Sequence, residues 1–289
     1  MPNKITSWLK SHVTQYKIDF MSLNRLRLNQ TVSGQIPVTI SLTEKTRMAE
    51  NLLWARSHDA STSFESMELL LNPYGITPLT ALCMFHTDTR CRLSYTVVSD
   101  FCMPWHYDSM TYTTNHVLPV FGLCENTDNV ITLTLYDESN QPVKSREITL
   151  HTGTLIETNH YPCVQDKQGM YRYFLSLPAK DDNLIPLSDG HFLIVHPDYL
   201  VKTEQGLLPT HMYEVDLLGR CYRTYYVGDG IFDVYGEISA ENKNLLVLSS
   251  DAKKGDKLLL EINRETGAIQ HIYSPYEREV TSPATQLKQ

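Results

Sequence analysis

Apolar positions recur with a helical period only near the start of the chain. Residues 4–20 and 41–57 repeat apolar side chains every three to four positions, which predicts two short helices. From about residue 67 this period is lost, and short runs rich in β-branched and aromatic residues alternate with turn residues. The pattern predicts a helical N-terminal extension over residues 1–66, followed by an all-β protein.

The two predicted helices differ in charge and in the residues that mark where each one begins. The first is basic and amphipathic. We expect it to pack on its own domain, and the alternative is that it contacts a membrane surface or a partner. The second begins with Ser41 and Glu44 at the spacing of a capping box. Its predicted apolar stripe consists of Met48, Leu52 and Ala55.

Strand patterns fill residues 67–155. In the run VITLTLYD, Ile131, Leu133 and Leu135 alternate with polar or amphipathic residues, as in a half-buried strand. The turn-forming stretch DESNQPVKS separates it from SREITLHT, which predicts a hairpin. ALCMFHT and RLSYTVVS are read as further strands. Short strands at this spacing predict an immunoglobulin-like β-sandwich.

An internal repeat occupies residues 156–289. Each copy has an apolar strand, a loop and two further strands: HFLIVHPD with MYEVDLLGRCYRTYY, and NLLVLSSD with LLLEINRETGAIQHIYS. Glu214 and Glu261 hold corresponding places, 47 residues apart. A period of about 40–50 residues in an all-β sequence is typical of β-propeller blades. DKQGMYRYFLSL is read as the end of one more, partial blade.

Two to three blades predict a partial, incomplete β-propeller. Closed propellers use about four to eight blades, because closure hides the edges of the sheets. The expectation is therefore a truncated form of a longer architecture. Its exposed sheet edge would favour self-association, or a partner chain that completes the propeller.

Composition and charge limit the classes of partner that the chain is expected to bind. The chain is 42% hydrophobic and 20% charged, as in folded globular proteins, and its net charge of −8 comes without a basic stripe. Nucleic acid is therefore not an expected partner. No run approaches the roughly 18 apolar residues of a membrane-spanning helix, and the first 20 residues lack the apolar core of a signal peptide.

The six cysteines are compatible with both an oxidising and a reducing compartment. None forms a CxxC pair, so neither a zinc site nor a redox dithiol is indicated, and no metal or cofactor is expected. Four of them, Cys83, Cys91, Cys102 and Cys124, fall in the predicted sandwich. They are compatible with one or two disulfides in an oxidising compartment and with buried free thiols.

Two stretches resemble a known family. LLLNPYGITPLTALCMF (69–85) is similar to the NPYG-x-x-PLTAL opening of the N-terminal domain of the bacterial aryl-sulfate sulfotransferases. Its residues Asn72 to Gly75 also predict a turn, because Pro73 fixes φ and Gly75 is free to take a positive φ. HVLPVFGLCENTDNVITLTL (116–135) is similar to the Pro-x-x-Gly-Leu and Asn-x-Val pattern of the same domain. The resemblance extends more weakly through the first blades and covers roughly residues 40–275.

The resemblance implies sulfuryl transfer from an aryl sulfate ester to a phenol, without an adenosine phosphosulfate donor. Members of the family resemble ping-pong enzymes in which a histidine nucleophile becomes a sulfohistidine, with further His and Arg in the funnel of a six-bladed propeller. A neutral imidazole is a good nucleophile, and cations stabilise charge on the transferring oxygens. The family also implies a periplasmic or cell-surface location.

The family's funnel histidines have no counterpart at the matching positions. Alignment on the strand of DVYGEISAENKNLLVL puts Val234 and Tyr235 where a His-His-Asp-type motif would fall, and the nucleophile belongs to a later blade. The expectation is a family member that lacks the nucleophile. The candidate site residues that remain are His211, Arg220 and Tyr235.

Three functional hypotheses follow. The first is a truncated sulfotransferase that is inactive or nearly so. In the second, a separate polypeptide or a second copy supplies the missing blades of a split propeller. The third is a non-catalytic binding or adhesion module that reuses the same scaffold.

Overall fold

A computed structural model describes most of the chain between residues 41 and 274. The described residues are 41–56, 62–67, 69–155, 161–177, 184–195, 200–203, 206–227, 236–238, 243–250 and 257–274. Those up to residue 155, together with 163–176, form one compact unit, and residues 161–162 with those from 177 onward form a second. The predicted helix over residues 4–20 lies outside the described residues.

One helix, α1 (Leu42–Arg56), precedes the strands and confirms the second predicted helix. Its start follows the capping rule, because the Glu44 backbone N–H donates to Ser41 Oγ at 3.2 Å. The side chain of Glu44 instead accepts from Arg47. The buried residues of the helix are Leu42, Thr46, Ala49 and Leu53, and the predicted stripe residue Met48 is only half-buried.

Eight strands lie among the described residues of the first unit. They are β1 (Leu69–Leu71), β2 (Ala81–Val98), β3 (Trp105–Asp108), β4 (Thr113–Val120), β5 (Asp128–Tyr136), β6 (Pro142–His151), β7 (Cys163–Gln165) and β8 (Tyr171–Phe174). The long β2 pairs with β1 and β4 over its first half and with β3 and β5 over its second, while β6 pairs with β5. β2 thus serves both sheets of an immunoglobulin-like sandwich. The two separate strands predicted here are one strand in the structure.

The predicted hairpin is confirmed. β5 and β6 pair antiparallel, and Ile131, Leu133 and Leu135 are almost fully buried on one side of β5. β7 and β8 form a separate two-stranded hairpin. This segment, interpreted from the sequence as the end of a partial blade, clusters with the first unit.

The family-like stretches of the sandwich have structural roles. Gly75 has φ 81° and closes a turn in which its N–H donates to the Asn72 carbonyl at 3.0 Å, as the sequence predicts. Asn129 is fully buried and ties three backbone segments together. Its Oδ1 accepts from the Cys124 N–H at 2.8 Å, and its Nδ2 donates to the carbonyls of Cys124 and Leu150. These residues hold the sandwich together.

Both states predicted for the sandwich cysteines, the disulfide and the buried free thiol, occur in the structure. Cys102 and Cys124 form a disulfide, whereas Cys83 and Cys91 are buried free thiols. The Arg172 guanidinium is buried beside the disulfide, and its Nη1 donates to Cys124 Sγ at 3.3 Å. The spacing of the cysteines in the sequence did not predict that Cys102 and Cys124 form the disulfide.

Lowering the pH from 6.5 to 4 should destabilise the sandwich through His116. This side chain is stacked on Phe85 at 4.4 Å and bonded to Thr87, and burial lowers its pKa to about 4. An unfolded histidine titrates near pH 6.5, so the unfolded chain takes up the proton first as the pH falls. Stability is then lost across this window, by about 2 kcal/mol for this one group.

Urea unfolding at pH 7 and pH 5 tests this expectation on the wild type and on His116→Gln, which cannot titrate. The wild type should lose more stability than the variant between the two pH values. Equal losses in the two proteins would remove His116 as the cause.

In the second unit, the part of the chain that the structure describes forms ten strands. They are β9 (Leu184–Pro186), β10 (Phe192–Val195), β11 (Leu200–Thr203), β12 (Gly206–Pro209), β13 (His211–Val215), β14 (Cys221–Tyr226), β15 (Gly236–Ile238), β16 (Leu245–Ser250), β17 (Lys257–Ile262) and β18 (Ile269–Tyr273). They form two four-stranded antiparallel sheets, β9-β10-β13-β14 and β15-β16-β17-β18. β11 and β12 form a separate two-stranded hairpin, which lies between β10 and β13 in the sequence.

The two sheets are the predicted repeats, hereafter the first and second blade. Glu214 pairs with Leu193 across the first blade, and Glu261 pairs with Leu246 at the same place in the second. A shared apolar core joins the two sheets and includes Leu193 and Met212 of the first and Val247 and Leu260 of the second. The fold is a partial β-propeller that follows a sandwich. Among the described residues, no helix is long and apolar enough to cross a membrane.

Candidate functional site

A cavity of about 600 Å³ lies at one end of the two blades. The β9–β10 turn and the strands β13 and β14 supply its first-blade wall, and the β17–β18 turn supplies much of the other. Its charged lining includes Asp189, His191, Glu214, Arg223, Lys243 and Arg264. Strand pairing within each blade and packing of one blade on the other bring these residues together, although they span 76 positions of the sequence, from 189 to 264.

Glu214 is the centre of a hydrogen-bonded cluster in this cavity. Its side chain is 3% exposed and accepts from Tyr225 Oη at 2.6 Å and from Arg264 Nε at 3.0 Å. His191 Nδ1 lies 2.6 Å from Glu214 Oε1. Burial alone would raise the pKa of Glu214, but the hydrogen bonds from Arg264, Tyr225 and His191 lower it below its ordinary range.

Arg264 fixes the second blade to the first. It lies in the β17–β18 turn, and its Nη2 also contacts Asp189 of the β9–β10 turn at 2.6 Å. Although burial opposes the charged form, the hydrogen bonds to Glu214 and Asp189 raise the pKa of Arg264. The backbone carbonyl of Arg264 accepts from Tyr225 Oη at 3.1 Å. This arrangement is an ion pair between the two sheets, in which two carboxylates already compensate the charge of Arg264.

The second blade repeats the cluster with different partners. Glu261 is 7% exposed and accepts from Asn244 Nδ2 at 2.8 Å and from Tyr273 Oη at 3.1 Å. His271 Nδ1 lies 3.0 Å from the same carboxylate. Each blade therefore buries a glutamate between the start of its second strand and its fourth strand.

His211, the first candidate site residue, lies at the opposite end of β13 from the cavity. Its Nδ1 is 2.8 Å from Thr210 Oγ1, and its ring is tilted against Tyr226 at 5.4 Å. Partial burial lowers the pKa of His211, which favours the neutral imidazole near neutral pH. At this strand end the backbone N–H of Val227, which follows β14, donates to the Thr210 carbonyl at 3.0 Å.

Arg220, the second candidate, is not brought to His211. Arg220 follows the far end of β13, in the β13–β14 turn, where its guanidinium lies over the Tyr222 ring at 4.9 Å. Tyr235 lies outside the described residues, as does Val234. Of the two described candidates, only His211 therefore lies at the strand end that leads into residues 228–235.

Sequence reasoning missed the cluster around Glu214. The repeated Glu214 and Glu261 were visible as a signal, but nothing in the sequence paired either one with Arg264, Asp189 or Tyr225. Within the part of the chain that the structure describes, no group of three or more His, Cys, Asp or Glu side chains could hold a metal ion.

Comparison with known proteins gives two matches, which overlap along the chain. Residues 68–153 match the family model described as the arylsulfotransferase Ig-like domain. Residues 129–276, just over half of the chain, match the family model described as arylsulfotransferase (ASST). The first match covers the sandwich, and the second covers its end and both blades. Among curated proteins, none matches the chain.

Proposed function

Because the chain belongs to the arylsulfotransferase family, we propose that it binds the aryl sulfate ester of the family's reaction, sulfuryl transfer to a phenol, and does not complete that transfer alone. The observation that carries the proposal is the pair of family matches, which together cover the sandwich and both blades. In this reaction the S–O bond to the donor aryl oxygen breaks and a new S–O bond forms to the acceptor. The donor leaves as a phenolate, and the acceptor phenol loses its proton.

The described histidines of the blades differ in how well they suit an anionic ester. His191 lies against Glu214 and His271 against Glu261, so each imidazole faces a carboxylate that repels sulfate. His211 instead lies beside a hydroxyl and an aromatic ring. We therefore assign to His211 the binding of the ester by a hydrogen bond from its ring.

The proposal also includes the absence of a covalent nucleophile. Positions 234 and 235, where the resemblance puts funnel histidines, carry Val and Tyr. Arg220 lies at the far end of β13, too far to stabilise charge on a sulfuryl group at His211. The chain is then a scaffold that binds the ester without transferring the sulfuryl group by itself.

Replacing His211 by Gln should weaken binding of 4-nitrophenyl sulfate about tenfold, the cost of one hydrogen bond to a charged group. Equilibrium dialysis against the ester measures this. His151→Gln is the matched control, because His151 is an exposed histidine of the sandwich bonded to Asp128. Equal affinity of the two variants would contradict the assignment to His211. A folded wild type that binds no ester would contradict the substrate class.

A second candidate function, a non-catalytic binding module, is favoured by one feature of the sandwich. Large apolar side chains are exposed between the second half of β2 and β4: Val98, Phe101, Met103, Trp105, Tyr107 and Met110. Exposed apolar patches often mark binding surfaces. If the module hypothesis holds, Phe101→Ser with Met110→Ser will abolish partner binding and leave ester binding unchanged.

A further inference from the structure

A buried cation lies against the disulfide of the sandwich. It is Arg172 of β8, whose side chain is 5% exposed and whose Nη1 donates to Cys124 Sγ at 3.3 Å. Its ion-pair partner is Asp166, whose Oδ2 lies 3.8 Å from the same Nη1. The Nε of Arg172 has no hydrogen-bond partner among the described residues. The guanidinium therefore contacts the sulfur while its own polar atoms are incompletely paired.

Asp166 compensates the charge of Arg172 only in part, because its carboxylate is also bound by the β7–β8 turn. Its Oδ1 accepts from the backbone N–H groups of Gln168 and Met170 at 2.9 and 3.1 Å. Burial lowers the pKa of Arg172 in spite of the attraction to Asp166. A negative charge on the sulfur of Cys124 would supply the compensation that Asp166 does not, at a distance where opposite charges attract strongly in a protein interior.

The two cysteines of the disulfide differ in access from solvent. Cys102 is 8% exposed and lies in the loop between β2 and β3, between Phe101 and Met103, which are 63% and 45% exposed. Cys124 is 0% exposed and lies in the connection between β4 and β5. A thiolate from solution therefore reaches Cys102 more easily than Cys124. Attack on Cys102 makes Cys124 the leaving group, and Cys124 is the cysteine that Arg172 contacts.

We propose that Cys102 is a site of thiol–disulfide exchange with a dithiol, in which Arg172 stabilises the departing thiolate of Cys124. One thiolate of the dithiol attacks Cys102 Sγ and forms a mixed disulfide, while the electron pair of the broken S–S bond goes to Cys124 Sγ. The second sulfur of the dithiol then displaces Cys102, which takes up a proton, and one proton is released to water. The dithiol is oxidised to its disulfide and the protein disulfide is reduced by two electrons. The proposal does not rest on the proposed function.

Substitution of Arg172 separates this role from a purely structural one, because the two roles predict opposite changes in rate. Arg172→Met removes the charge but keeps an unbranched side chain, so reduction of the folded chain by dithiothreitol should slow about tenfold. Arg172→Lys keeps a positive charge and should retain most of the wild-type rate. If Arg172 only packed the loop in place, its removal would loosen the loop and speed the reduction.

Acid quenching, alkylation and mass spectrometry of the full chain measure these rates without denaturant, and circular dichroism checks that each variant is folded. Arg146→Met is the matched control, because Arg146 is a sandwich arginine whose Nη1 donates to the backbone carbonyls of Phe64 and Met67. It should be reduced at the wild-type rate. An Arg172→Met variant that is reduced as fast as the wild type, or faster, would overturn the proposal. Equal slowing by Arg146→Met would overturn it as well.

A second measurement uses the wild type alone and so does not depend on the folding of any variant. Brief treatment of the folded chain with glutathione, a monothiol, stops at the mixed disulfide. Acid quenching, alkylation in denaturant and peptide mapping then locate the adduct. Glutathione is expected on Cys102 and the alkyl group on Cys124. Glutathione found on Cys124 as often as on Cys102, or no adduct on the folded chain, would contradict the assignment of the exchange site.

Discussion

Arg264→Ala will lower the free energy of unfolding of the two-blade unit by about 3 kcal/mol, the usual cost of removing one partner of a buried ion pair. The variant leaves the carboxylate of Glu214 buried at 3% exposure with its main cation gone. Asp189 loses the same partner. The pKa of Glu214 should then rise, because burial is no longer offset by the Arg264 hydrogen bonds.

Hydrogen exchange measured by mass spectrometry localises this effect. Amides of β13 and β14 should exchange faster in Arg264→Ala, whereas those of the sandwich strands β5 and β6 should not change. Arg220→Ala is the control, since Arg220 is a turn cation of the first blade that lies over Tyr222. If Arg264→Ala and Arg220→Ala gave the same protection in β13 and β14, Arg264 would not be holding the blades together.

Loss of the Cys102–Cys124 disulfide will destabilise the sandwich by a similar amount. The bond closes a loop with a sequence separation of 22, for which loop-closure entropy gives about 3 kcal/mol. The double variant Cys102→Ala, Cys124→Ala also removes the sulfur that accepts from Arg172. Arg172 is 5% exposed and its Nε has no hydrogen-bond partner among the described residues, so the cost of its burial increases.

Thermal unfolding with and without a reductant measures this effect. The wild type should lose several degrees of melting temperature when reduced, and the double variant should melt at the lower temperature in both conditions. Cys163→Ala controls for removal of a cysteine, because Cys163 is exposed and takes no part in the disulfide. A reduced wild type that melts with the oxidised one would show that the disulfide does not stabilise the sandwich.

Local patterns in the sequence were sufficient to predict most of the fold. Alternation in β5 predicted which side of that strand is buried, because side chains of a strand point to opposite faces whatever the rest of the chain does. The repeat of Glu214 and Glu261 predicted two blades for the same reason, since each copy encodes its own strands and turns. The sandwich motif around Asn72 and Gly75 was readable as a turn from backbone preferences alone.

Contacts between segments that are distant in the sequence could not be predicted from local patterns. β2 was predicted as two strands, because TDTRC carries no apolar alternation, yet pairing with β4 and then β5 continues the strand through a register shift after His86. Glu214 and Arg264 are 50 residues apart and meet only because two blades pack face to face. His211 and Arg220 looked close in sequence, but a strand of five residues separates them in space.

The most direct test of the proposed function is nitrophenolate release from 4-nitrophenyl sulfate by the purified chain, with and without phenol. The account predicts that the folded chain binds the ester and releases no nitrophenolate above the buffer rate, and that phenol makes no difference. That result is expected because positions 234 and 235 hold no histidine and Arg220 lies away from His211. Phenol-dependent release by the chain alone would contradict it.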